Sequence, residues 1–254
     1  MTVLAQRPAR SPAGPLHRAA AAGVTLWLDA RSASPRTPAQ VHAEAADVVR
    51  CVLPPAAAPP DRAPGSHPCA VPAGPVYGLN EFRRLMRTLA ERAERMLACD
   101  DVFAPVVVEY PVPAVDVLVD ARLDLIGSWE AKALRSRAGL AGAHLLYDEF
   151  RRALRSPHWS RLSAQGVPAP SLLWTTASVD GPARGVEYAQ SCLFPGTTVA
   201  LTPDALEEFG RRAAVTGPTA LDLTDARRMA EALAWCGIRL EDLSRPDATA
   251  PAAG

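Results

Sequence analysis

Lysine is almost absent from this chain of 254 residues. Lysine and arginine together number 27, and position 132 alone is lysine, which leaves 27 − 1 = 26 arginines. Any reaction that depends on a lysine amine can therefore use Lys132 and no other residue. Arginine in place of lysine, together with abundant alanine and proline, is a property of composition and does not indicate a function.

Excess charge and clustered metal ligands are also lacking. The 27 basic residues are balanced by 27 acidic ones, so the chain has no general electrostatic attraction to nucleic acid or to an anionic membrane. Five cysteines and five histidines are scattered along the sequence without a Cys-x-x-Cys pair. Zinc sites need several ligands at short spacing. We therefore expect no metal, no cofactor, and reduced, mostly buried thiols.

Long apolar runs are missing too. No run approaches the roughly 18 residues of a membrane span, and the N-terminus lacks the apolar core of a signal peptide. We expect no membrane contact and a cytoplasmic location. The hydrophobic content of 48% is sufficient for one sizeable core. The sequence predicts one β/α domain over residues 16–245, with disordered tails at 1–15 and 246–254.

Proline is concentrated in residues 54–75, which read PPAAAPPDRAPGSHPCAVPAGP. Proline at this density cannot propagate a helix or a central strand, so the segment is predicted to be a linker or an ordered surface loop. A loop of this length inside a compact domain is unusual and calls for an explanation.

Strand and helix patterns alternate along the rest of the chain. Buried strands are predicted at VTLWLDA, VVRCVL, FAPVVVEYPV, SLLWTT and TTVAL. Helices are predicted over 79–98, from Ser128 through 154, over 203–214 and over 225–236. Such alternation favours a parallel sheet or barrel.

Several of these segments, in order along the chain, resemble one enzyme family. They are GVTLWLDARS, VDVLVDARLDLIG with the following EAKALRSRAGLAGAHLLYDEF, LLWTTASVDGP, and LFPGTTVALTPDALEEF. They are similar to the first, sixth, seventh and eighth strand units of actinobacterial transaldolase. That family has a (β/α)8 barrel of the class I aldolase type and acts in the pentose phosphate pathway. The resemblance covers roughly residues 23–53 and 76–245.

The chain departs from the family where the resemblance would place the chemistry. Transaldolases carry a Schiff-base lysine on the fourth strand and a catalytic glutamate on the third, and neither segment has a counterpart here. The Pro-rich stretch 54–75 stands in their place. We therefore predict an α/β fold, an incomplete transaldolase-like TIM-type barrel in which strands three and four are missing. Lys132 falls instead on the outer helix after strand six, on a face that should see solvent.

A few site residues persist by resemblance. Asp29 matches the acid/base aspartate of strand one, although a strand-end carboxylate can also simply cap a neighbouring loop. Asp116 matches a strand-six aspartate, and Thr176 falls near the strand-seven serine, which makes both candidates for substrate binding. The family's phosphate-binding arginine is replaced by Ala114, and its strand-eight asparagine by Ala200.

Three hypotheses about function follow. The first is a transaldolase-like protein that lacks Schiff-base activity and either binds a sugar phosphate or partners an intact enzyme. The second is an active or repurposed lyase or transferase that uses Asp29, Glu109, Asp116 and Thr176. The third is an unrelated α/β interaction module. Two missing strands would also leave open sheet edges, which the Pro-rich segment, a protein partner or a second copy of the chain would have to cover.

Overall fold

The computed structural model describes residues 14–31, 49–53, 70–99 and 102–245. Apart from residues 14 and 15, the two predicted tails lie outside this part of the chain, and so do residues 54–69 of the Pro-rich segment. None of the described helices is both long and apolar enough to cross a membrane.

The described strands form one parallel six-stranded sheet. They are β1 (Thr25–Asp29), β2 (Val49–Leu53), β3 (Val71–Ala73), β4 (Val106–Pro111), β5 (Ser171–Thr175) and β6 (Thr198–Leu201). Their order in the sheet is β2-β1-β6-β5-β4-β3. The first strand, β1, pairs with the last, β6, as in a closed barrel. Strands β2 and β3 follow each other along the chain but lie at opposite edges of the sheet. The predicted fold class is confirmed: the sheet is a curled half-barrel of the TIM type, open where strands three and four would stand.

Helices flank this sheet. They are α1 (Pro15–Ala21), α2 (Leu79–Ala98), α3 (Val112–Ile126), α4 (Trp129–Lys132), α5 (Ala138–Leu154), α6 (Pro157–Ala164), α7 (Pro182–Ser191), α8 (Pro203–Arg212) and α9 (Leu223–Trp235), followed by a 3-10 turn at Leu240–Asp242. Polar caps fix several of the starts. The side chains of Ser128, Ser156 and Thr202 accept hydrogen bonds from backbone N–H groups in the first turns of α4, α6 and α8.

The helix predicted to run unbroken from Ser128 through 154 is interrupted, and this prediction is wrong. Helix α4 ends at Lys132 and α5 begins at Ala138. Ser136 lies between them with a left-handed φ of 57°. Its backbone N–H and its hydroxyl both donate to the Asp120 carboxylate of α3, at 2.9 and 3.1 Å. A side chain from another helix thus takes the N–H that a continuous helix would use, which explains the break.

Alternating residues of the strands form two separate apolar clusters. Leu28, Tyr110 and Trp174 belong to the large cluster that the flanking helices cover. The opposite face of the sheet carries a smaller cluster, all of it buried: Trp27, Cys51, Leu53, Val107, Leu173 and Ala200. This second face, here called the inner face, is the one that leads to the strand ends described below.

Strand β3 lies inside the Pro-rich segment and was not predicted. Val71 N donates to Pro105 O at 2.7 Å, so the backbone of Val71 faces β4. Backbone groups alternate in direction along a strand, and the nitrogen of Pro72 therefore faces the open edge, where it has no hydrogen to donate. Pro72 thereby removes the outward donor of a three-residue edge strand, which disfavours pairing with another chain.

The cysteines differ in state. Cys99, Cys192 and Cys236 are free. Cys51 is disulfide-bonded, so the expectation of reduced thiols is wrong at this position, and Cys69 lies outside the described residues. Within the described ranges, no group of three His, Cys, Asp or Glu side chains is arranged to hold a metal ion.

Two glycines allow α5 to pack closely against the end of β4. A Cβ atom on Gly139 would collide with the carbonyl oxygen of Val112, and one on Gly142 would collide with the hydroxyl of Tyr110. Both obstacles belong to buried residues, so neither can move without disturbing the core. The Gly139 position is further fixed because its N–H donates to Asp116 Oδ1 at 2.8 Å.

We expect Gly139→Ala to lower the free energy of unfolding by about 2–3 kcal/mol, because the new methyl group overpacks a buried contact with the backbone. Urea unfolding monitored by circular dichroism measures this change. Gly210→Ala is the matched control. A Cβ there meets only the Leu16 side chain, at ordinary contact distances of 3.6 and 3.9 Å, so alanine should stabilise α8 by about 0.5–1 kcal/mol. Equal effects at both positions would contradict the packing described here.

Candidate functional site

Three polar side chains meet on the inner face near the carboxyl ends of the strands. Asp29 is the last residue of β1, Glu109 lies in β4 and Thr175 is the last residue of β5. All three are buried, with exposures of 1%, 5% and 4%. The carboxyl ends of parallel strands are where barrels of this type place their active sites. Burial of two carboxylates requires a partner that compensates their charge.

Arg31 is that partner. Its Nε and Nη2 atoms donate to Asp29 Oδ1 and Oδ2 at 2.9 and 2.8 Å, which makes a bidentate pair. Its backbone N–H also donates to Asp29 Oδ1, at 3.0 Å. On the other side Nη1 lies 2.9 and 3.1 Å from the two oxygens of Glu109. Thr175 Oγ1 completes the network by donating to Glu109 Oε1 at 3.2 Å.

Negative groups outnumber positive ones in this network, because two carboxylates face one guanidinium. The hydrogen bond with Asp29, together with the negative charges of Asp29 and Glu109, raises the pKa of Arg31 further above its already high ordinary value, although partial burial opposes this. Arg31 therefore stays charged, and the cluster carries a net charge of −1 when both acids are ionised. About a third of the Arg31 side chain, 34%, remains exposed.

This arrangement has a direct chemical consequence for Asp29. A general base must be able to reach and accept the proton of a reacting group. Both Asp29 oxygens already accept hydrogen bonds from Arg31, and the guanidinium cannot be deprotonated in a protein. The aspartate that matches the family's acid/base residue is thus engaged as the acceptor of an internal ion pair.

Asp116 lies elsewhere. It is on α3, buried beneath α5 and α7, where Oδ1 accepts from Gly139 N at 2.8 Å and Oδ2 from the Tyr188 hydroxyl at 2.6 Å. Burial raises the pKa of this carboxyl, and the two hydrogen bonds oppose that shift. Asp116 therefore ties three helices together. Its proposed contact with substrate stays a prediction.

Thr176 also lies apart from the carboxylate pair. It follows β5, is fully buried, and donates through Oγ1 to Ala200 O at 2.9 Å. That hydrogen bond joins the end of β5 to β6. The neighbouring residue, Thr175, is the one whose side chain reaches Glu109, whereas substrate binding by Thr176 stays a prediction.

Lys132 is exposed and ends the short helix α4. The buried residue of that helix, Ala131, packs into the large cluster under the helices rather than on the inner face. Pro113 and Ala114, which stand where the family would carry Ser-Arg, lie in the first turn of α3. They provide no cation for a phosphate at that point.

Arg31 was not among the predicted site residues, although its position in the sequence carries a signal. The resemblance of GVTLWLDARS to the family's first strand places Arg31 where the family has leucine after its aspartates. A charged residue two positions after a buried strand aspartate can reach back to it, as Arg31 does. Thr175 could have been found from strand alternation, since it shares a face with Leu173 of the inner cluster.

We expect Asp29→Asn to lower the free energy of unfolding by about 2 kcal/mol. The substitution removes a buried charge that the guanidinium needs, and partial exposure of Arg31 reduces the cost from the value typical of fully buried pairs. Glu149→Gln is the control, because Glu149 pairs with the half-exposed Arg83 at 2.9 Å, and it should cost below about 1 kcal/mol. Chemical unfolding at neutral pH compares them. A cost for Asp29→Asn no larger than that of the control would show that the buried network contributes little.

Comparison with curated proteins finds transaldolases. The transaldolase of Frankia alni is 30% identical over 172 residues, which are 66% of this chain and 46% of the relative. The transaldolase of a Parafrankia strain is 30% identical over 172 residues, 66% and 47% of the two chains. That of an Arthrobacter strain is 32% identical over 172 residues, 66% and 46%. The chain spans about half the length of the curated relatives it matches, and no protein-family model matches it. The resemblance predicted from the sequence is confirmed.

Proposed function

We propose that this chain, which is related to the transaldolase family, is a transaldolase-like protein of the sugar-phosphate class without Schiff-base aldolase activity. One observation carries the proposal. The chain has a single lysine, and Lys132 is exposed on a short outer helix, on the opposite side of the sheet from Asp29 and Glu109. A ketone at the strand ends would have no amine to attack it.

The requirements of the covalent mechanism support this reading. A Schiff-base lysine must be desolvated or lie beside another group that activates it as a nucleophile. The side chain of Lys132 is in solvent and its helix packs away from the inner face. Loss of the nucleophile in a covalent mechanism typically costs many orders of magnitude in rate.

The state of Asp29 points the same way. Its carboxylate is bound by Arg31 through two side-chain hydrogen bonds and one backbone hydrogen bond. These three bonds use three of the roughly four acceptor positions of the carboxylate, and the side chain is only 1% exposed, so a substrate hydroxyl has little access to it. The nucleophile is thus absent from the strand ends, and the acid/base residue that lies there is engaged in an internal ion pair.

Of the two non-catalytic roles, the charge at the strand ends favours partnership over sugar-phosphate binding. Two carboxylates and one guanidinium give the cluster a net charge of −1, which repels a phosphate. Among the described residues, β2 is an edge strand with no strand paired on its outer side, and an edge of this kind can pair with another chain. We therefore favour a role as a partner of an intact transaldolase or of a second copy of this chain, with sugar-phosphate binding as the weaker role. The proposed cytoplasmic location rests on the sequence alone.

Reductive trapping tests the proposal. The purified protein is incubated with fructose 6-phosphate and sodium borohydride, and its intact mass is measured. We expect no mass increase, whereas the transaldolase of Frankia alni treated in parallel should be labelled. Lys132→Arg serves as the matched variant, because it keeps the charge and removes the amine. A covalent adduct on Lys132 in the natural protein would refute the proposal, and turnover of the sugar phosphate without an adduct would favour a repurposed enzyme.

A further inference from the structure

We infer that Arg31 is a built-in occupant of the strand-end site: its guanidinium stands in the place of a cationic ligand between Asp29 and Glu109 and closes this end of the sheet to other cations. The inference rests on the proposed function and deepens it. It explains how two acidic side chains can be buried side by side at the strand ends.

The fit of the guanidinium is the first support. The fork formed by Nε and Nη2 faces Asp29, and Nη1 faces Glu109, with all four side-chain distances between 2.8 and 3.1 Å. The three guanidinium nitrogens, Nε, Nη1 and Nη2, belong to one rigid planar group. The two carboxylates must therefore be placed to match that group. Thr175 holds Glu109 in that position from the far side.

The path of the chain is the second support. Arg31 lies two residues after the end of β1, and its own N–H is anchored on the carboxylate that its side chain binds. Arg31 is therefore two residues from Asp29 along the sequence, whereas Glu109 is 78 residues away. Because the occupant is tethered, it meets the carboxylates at a high effective concentration, which a free ligand would have to exceed.

The charge balance decides which molecules the site would accept. Without Arg31, the Asp29 and Glu109 carboxylates would be buried at 1% and 5% exposure with no cation beside them in the described network. Such a pair binds cations and repels phosphates and carboxylates. A small alkylguanidinium is the chemical class that reproduces the missing contacts, because it can form the same bidentate pair.

Chemical complementation of Arg31→Ala tests this inference. The variant should melt about 5 °C below the natural protein, since it leaves two buried carboxylates unpaired. Methylguanidinium chloride at about 10 mM should recover roughly half of that loss through binding to the folded state. Sodium chloride at the same concentration and urea, which is planar but neutral, should recover almost none.

Two further proteins control for general effects of the probe. Arg83→Ala removes a half-exposed arginine that is also bound bidentately, by the partly buried Glu149, and it should not respond to methylguanidinium. The triple variant Asp29→Asn, Arg31→Ala, Glu109→Gln lacks the two charges. It should fold and melt at the same temperature with and without the probe.

Every outcome bears on the inference. Selective recovery of Arg31→Ala supports it, and so does an insoluble Arg31→Ala beside a folded triple variant, because unpaired carboxylates would then be the cause of failure. Recovery by urea as strong as that by methylguanidinium, no recovery at all, or loss of folding in both variants would overturn it. The borohydride test uses the natural protein and reads out at Lys132, so failure of the proposed function would be seen separately.

Discussion

The pairing of β1 with β6 is the interaction on which the rest of this structure depends. It joins the first described strand to the last one in parallel register, from Thr25 opposite Thr198 to Leu28 opposite Leu201. Without it the sheet would be an open array, and the end of β1 would lie far from the ends of β4 and β5. With it the sheet curls, and Asp29 comes within the span of one arginine side chain of Glu109. An incomplete barrel can thus bring its strand ends together when its first and last strands pair.

The strand ends brought together in this way hold a structural ion-pair network. Burial makes the Asp29 and Glu109 charges costly, and a single guanidinium compensates both, helped by the Thr175 hydroxyl. The same contacts that stabilise the acids also occupy them. Asp116, which the resemblance predicts to bind substrate, also forms hydrogen bonds within the protein. These bonds join three helices. These acidic groups are therefore committed to internal partners, and the same contacts contribute to the stability of the fold.

Sequence patterns predicted the part of this structure that local composition controls. Continuous apolar runs located β1, β2, β4, β5 and β6, and the Pro-rich stretch stands where the half-barrel is open. The break at Ser136 could not be predicted, because it depends on Asp120, sixteen residues earlier on another helix. Strand β3 was missed because Pro72 is tolerated only at an edge, and edge position is set by tertiary structure. Asp29 was found by resemblance, whereas the role of Arg31 depends on Glu109, 78 residues away.

The central claim is that Arg31 is held by internal carboxylates and does not receive a phosphate. Nitrogen–proton NMR of the arginine Nε–H groups tests it most directly, with the Arg31 resonance assigned through Arg31→Lys. The account predicts that this resonance is protected from exchange with water and does not move during titration with fructose 6-phosphate. A saturable shift of the Arg31 Nε–H resonance on addition of the sugar phosphate would contradict it.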